Sequence, residues 1–222
     1  MRLTLEVGPK GKKVVAVAPD WPGFERGGSN PEAAMERLRA YLPRYAKIAK
    51  LAGLETSFAE NAAFDVVERY QGTGSTDFWS ISFVFSSIDT QPMTTSELER
   101  ELVLMRSCWA YFDDVRSRVS SEMKKGPRGG GRDRDHIIRH VILVEQDWAA
   151  GVGVQVPHKE MPSDAELKAY RGAYCDAIQE FHAQGKMAGS RSKWPLRFLI
   201  RHTAFHTLDH AWEMEDKDLT SA

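Results

Sequence analysis

The chain has 222 residues, 42% of them hydrophobic and 27% charged, which is close to globular averages and excludes wholesale disorder. Thirty basic side chains against thirty-one acidic ones leave a formal charge of -1, which excludes a globally basic polyanion binder and speaks against nucleic acid as a partner. No run approaches the roughly 18 apolar residues of a membrane span and no signal-peptide core opens the chain, so the expectation is a soluble, cytoplasmic protein with no membrane partner.

Leu3, Leu5 and Val7 alternate with Arg2, Thr4 and Glu6, the period of a half-buried strand. Turn chemistry from Gly8 to Lys12 leads to a second strand over Val14 to Ala18, so the pair predicts a hairpin. Asp20-Trp21-Pro22-Gly23 breaks the chain, and Ser29 with Glu32 stand at capping-box spacing around Pro31. Met35, Leu38, Leu42, Tyr45 and Ile48 predict a helix from about Pro31 to Leu51, which Pro43 should kink or split. Phe64 to Tyr70 and Phe78 to Phe85 predict another hairpin around Gly72-Thr73-Gly74-Ser75, with Trp79, Ile81, Phe83 and Phe85 pointing one way. Residues 1–90 thus read as a small ββαββ α+β domain.

After Thr90 the apolar period changes from 2 to 3.6, which places a domain boundary there and makes 91–222 helical. Ser96 and Glu99 have capping-box spacing before the stripe Leu98, Leu102, Met105, Trp109, Phe112 and Val119. A second helix should start at Asp133 or Asp135 and end near Ala150; a third starts at Ser163 and stops at Gly185; a fourth runs from about Pro195 to Asp216. Four helices of this length with loops between them describe a four-helix bundle. Cys108 and Cys175, the two cysteines, lie inside apolar helical patterns and read as reduced and buried. Trp109, Trp148, Trp194 and Trp212 read as core residues at helical spacing.

Three of the seven histidines lie in the last helix, as His202, His206 and His210. Residues four apart share a helix face, so either His202 with His206 or His206 with His210 can present two imidazoles to one point. His140 lies mid-helix among apolar neighbours in the second helix of the bundle, where inward-facing ligands of a metal site would be found. Thr203 stands where a zinc-protease helix carries its glutamate, which disfavours that chemistry. Asp209 and Glu213 share roughly the face of His206 and, with Glu145, are candidates to orient a ligand imidazole. The stretch from Lys124 to Arg134 joins glycines to Arg128, Arg132 and Arg134 before a helix N-terminus, a composition suited to an anion.

Ile138-Arg139-His140-Val141 followed by Glu145 and Trp148, together with Arg201-His202-Thr203-Ala204-Phe205-His206, resembles the DinB-like superfamily over about Thr94 to Asp216. That family includes metal-dependent thiol S-transferases and mycothiol-dependent maleylpyruvate isomerases. The resemblance implies His140, His202 and His206 as ligands of a divalent metal, zinc or nickel, and a low-molecular-weight thiol as a further cofactor. It implies an enzyme that activates a thiol or water for transfer to, or hydrolysis of, a small-molecule substrate. The family tail after the last ligand is commonly Arg-Gly-Gln, whereas this chain reads Thr207-Leu208-Asp209-His210, which keeps the His206 and His210 pair open. Ala18-Pro19-Asp20-Trp21-Pro22-Gly23, Gly28-Ser29 and Pro31-Glu32-Ala33-Ala34 resemble the HicB-type antitoxin fold over roughly Leu3 to Leu51. The alternative to an enzyme is a non-enzymatic binding module with a metal-free histidine cluster, and an unpaired strand or helix face would suit a homodimer.

Overall fold

The computed structural model describes residues 1–58, 63–126, 131–155, 161–188 and 194–220, and in them the protein is a mixed α+β structure. Strands β1 (Arg2–Val7), β2 (Val14–Val17), β3 (Glu25–Gly28) and β4 (Asp65–Gln71) form one sheet in the order β3-β2-β1-β4. The expected first hairpin is present as the antiparallel β1–β2 pair, and β2 pairs antiparallel with β3. β4 joins the other side of β1 in parallel, which requires a crossover, and α1 (Pro31–Ala40) and α2 (Leu42–Leu51) lie within it. The helix predicted over 31–51 is split at Tyr41, one residue before α2 takes Pro43 into its first turn. Its first cap is Asn30, whose side chain accepts from the Ala33 amide, and not Ser29.

The layer differs from ββαββ in two places. β3 was hidden in the sequence because Glu-Arg-Gly-Gly carries no apolar alternation. The second predicted hairpin does not form: after β4 a capping box between Thr73 and Thr76 starts the short helix α3 (Gly74–Trp79), and Ser80 leaves it in the left-handed region at φ 59°. Side chains, not a neighbouring strand, then take up the amides of the 82–87 segment. Glu25 accepts from Ser82, Glu6 from Phe83 and Val84, Asp89 from Ser86 and Glu68 from Ser87, all at 2.7–3.2 Å. Buried amides must be paired, and here carboxylates do what a ladder would do. For the same reason β1 is covered on both faces, with Glu6 fully buried and also accepting from the hydroxyls of Thr76 and Ser82.

The four predicted long helices are α4 (Thr95–Arg118), α5 (Arg134–Ala150), α6 (Asp164–Ala183) and α7 (Leu196–Lys217). The α4 capping box uses Thr94 and Glu97, two residues before the predicted Ser96 and Glu99. Ser163 with Glu166 caps α6 as expected, and Asp133 is the N-cap of α5. α7 packs along α4 and against α5 and is buried on nearly every side, so its polar residues need partners inside the protein. Arg201 donates to both oxygens of Asp89 at 2.7 and 2.9 Å and to Glu25 at 3.1 Å. Arg26 lies between the rings of Tyr41 and Trp212, at 3.9 and 4.3 Å from their centroids, and donates to Asp209 at 3.0 Å. Arg44, Tyr111 and Arg118 converge on Glu215. The apolar interior runs without interruption across residue 90. Cys108 and Cys175 are both free and buried. None of the helices among the described residues is long and apolar enough to cross a membrane.

Candidate metal centre

His140, two residues before the middle of α5, faces α7 across the α5–α7 contact. On α7 the four-residue repeat places His202, His206 and His210 along one side, but packing divides them. His140 Nε2 lies 3.1 Å from His206 Nε2, and the His210 ring stands 5.0 Å from that of His140 and 4.6 Å from that of His206. One ligand atom from each of the three lies within 4.8 Å of the others.

His202 is not part of this group. Its ring stacks on Phe198 at 5.2 Å and 12° and meets Trp148 at 4.9 Å and Trp194 at 5.7 Å. Trp148 reaches His206 as well, at 5.3 Å, so this indole stands against both imidazoles. Of the trio implied by the resemblance, His140 and His206 come together, and His210 takes the place expected for His202. The sequence held both pairs open because i, i+4 spacing cannot say which turn of α7 faces α5.

Burial pushes the His140 imidazole down to about 4, with His210 and Arg132 adding to the effect. His206 is held well below the ordinary histidine value by burial first, then by His210 and His140. Both are therefore neutral at pH 7, the form in which imidazole offers a lone pair to a metal. His210 is bonded through Nδ1 to Glu213 Oε2 at 2.7 Å, leaving Nε2 as its available ligand atom. Glu213 in turn accepts from Lys217 at 2.6 Å and pairs with Arg132 at 3.6 Å. Burial alone would raise this carboxyl, but the hydrogen bonds from His210 and Lys217 outweigh it and bring it down to about 2.

The other candidate carboxylates lie elsewhere. Glu145 is buried and grips Arg171 at 3.0 and 3.2 Å, away from the imidazoles, because an inward-facing acid on α5 meets the arginine of α6 first. Asp209 points the other way round α7 and bonds Arg26. In the glycine-rich loop Arg132 reaches the site through Glu213, whereas Arg134 bonds Asp135 and the Val119 carbonyl, and Arg128 lies outside the described residues. Among the tryptophans Trp109 and Trp212 are core residues, while Trp148 and Trp194 are half-buried around His202. Comparison of the chain with protein-family models, with curated proteins and with solved structures finds no match in any of the three.

Proposed function

We propose that His140, His206 and His210 hold a divalent transition metal, zinc or nickel, and that the protein is a metal-dependent enzyme acting on a small molecule. On this reading α4–α7 are a DinB-like four-helix bundle with one histidine on its second helix and the ligand pair on its last. The observation that carries it is the convergence of three imidazoles, two of them held neutral by burial. Ligands about 2.0–2.1 Å from a tetrahedral metal stand roughly 3.3 Å from one another, so the 3.1 Å approach of His140 and His206 fits the group. Three protein ligands leave an open position, and a metal bound there supplies Lewis acidity that lowers the pKa of a bound water or low-molecular-weight thiol.

The chain's own residues set the rest. Glu213 fixes the His210 ring and its tautomer through Nδ1, as an acid beside a ligand imidazole does. The bonds from His210 and Lys217 keep Glu213 ionised, and Arg132 pairs with it at 3.6 Å. Trp148 covers one side of His206 and limits water there. Arg132, on the glycine-rich loop beside Glu213, is a cation that can meet an anionic substrate group.

The test is elemental analysis of purified, tag-free protein beside three variants. The expected result is about one equivalent of zinc or nickel in the parent and in His202→Ala, and loss of that metal in His206→Ala and His210→Ala. Retention in His210→Ala with loss in His202→Ala would return the ligand set to the pair one turn earlier. No metal in the parent after incubation with divalent ions at neutral pH would sink the enzyme reading.

A further inference from the structure

A cavity lies between α4 and α6, and none of the three histidines is among the residues that line it. α4 packs closely along α7 but not along α6, and the facing sides of α4 and α6 leave a trough of about 690 Å³. That is within the roughly 300–1,000 Å³ of small-molecule sites. On the α4 side it is lined by Arg106, Trp109, Ala110 and Asp113, and on the α6 side by Lys168, Gly172 and Cys175.

Gly172 is the informative residue. It lies in the interior of α6, where glycine costs about 1 kcal/mol relative to alanine. Its φ is not in the left-handed region, so no backbone conformation demands it. A Cβ built there meets nothing within 4 Å, so no close neighbour demands it either. What the missing side chain does is keep the trough open, and Ala110 does the same on α4. Cys175 is an apolar wall and not a nucleophile, since burial pushes its thiol up to about 11.

The charges around the trough are unevenly used. Asp113 and Asp164 are bonded to arginines, through Arg116 and Arg171. Arg106 gives its Nε to the Leu102 carbonyl. Neither Arg106 nor Lys168 has an ion-pair partner among the described residues. Asp176 is the lone acid of the trough in the same condition, so the unpaired charge there is net positive.

We infer that the trough between α4 and α6 is a binding site for a small anion with an apolar body. The body fills the space that Gly172 and Ala110 leave, above a buried floor of Trp109 and Cys175, and Arg106 and Lys168 meet the negative charge. This inference stands apart from the metal reading, because none of its residues touches the three histidines.

The probes are 2-naphthoate and its cationic counterpart, 2-naphthylmethylammonium, titrated calorimetrically into the full chain. The expected result is saturable 1:1 binding of naphthoate, with the cation bound at least about tenfold more weakly, a difference of about 1.4 kcal/mol. Gly172→Leu should weaken naphthoate about tenfold or more while leaving the helix content and melting temperature unchanged or raised, since leucine is the better helix former. Ala110→Leu serves the same purpose from α4 should Gly172→Leu fail to fold. Arg106→Gln with Lys168→Gln should abolish the preference for the anion. His206→Ala should bind naphthoate as the parent does. No saturable binding, equal binding by the cation, parent-like binding in a folded space-filling variant, or loss of binding in His206→Ala would each overturn the inference.

Discussion

His202 and Glu213 show how much two residues on one helix can differ in what surrounds them. Among the rings of Phe198, Trp148 and Trp194, burial pushes the His202 imidazole down to about 3, with Arg201 adding to it. The unfolded chain takes up this proton near the ordinary histidine value of about 6.5. The folded-state value is the lower one, so the neutral form's contribution to stability is whole above pH 6.5 and is lost as pH falls through the window from 6.5 toward 3. Each such proton gives a slope of about 1.4 kcal/mol per pH unit. Chemical denaturation of metal-free protein at a series of pH values should therefore show a shallower acid decline in His202→Phe than in the parent. An identical decline would mean that His202 does not carry it. On the proposed metal reading, Glu213 acts on metal affinity instead. Removing a carboxylate that orients a ligand imidazole weakens binding by about 10–100-fold, so Glu213→Gln should lose metal to a competing chelator at correspondingly lower chelator concentration. An unchanged affinity would show that the Glu213 bond to His210 has no part in holding the site.

At the scale of elements, periodicity revealed the long helices and missed what carboxylates do. The α4–α7 helices, the β1–β2 hairpin and the break near Pro43 follow from apolar spacing, caps and proline chemistry, all of which act within a few residues. Trp79, Ile81, Phe83 and Phe85 alternate like a strand, yet the segment is held by Glu6, Glu25, Glu68 and Asp89 from other parts of the chain or from beyond its own end. Arg201 anchors that arrangement from α7 through Asp89 and Glu25. Breaking a buried ion cluster by removing one partner costs about 3–5 kcal/mol. Arg201→Leu should lower the unfolding free energy by that amount in urea titrations. A loss below about 1 kcal/mol would show that the segment does not depend on it.

For the whole molecule, the predicted division at residue 90 meets an interior that is continuous across it. Arg26 and Arg44, from the sheet layer, are bonded to acids of α7, and α2 packs against α4. Residues 1–90 and 91–222 are therefore expected to unfold in one transition, with fluorescence and circular dichroism midpoints coinciding. Two separated midpoints would support the two-unit reading. The sequence by itself determined where the long helices lie, that both cysteines, Trp109 and Trp212 are apolar core, and that His140 and the histidines of the last helix are the residues to watch. Those are properties of local spacing, and spacing is written in the chain. The tertiary structure decided that His210 and not His202 joins His140 and His206, that Glu145 serves Arg171, that Glu6 replaces a strand, and that a trough stays open beside Gly172. Apart from Glu6, which depends on the segment that folds over β1, each of these depends on which turn of one helix meets another element. That rotation is set by the packing of the whole interior, where residues far apart in the chain compete for the same space.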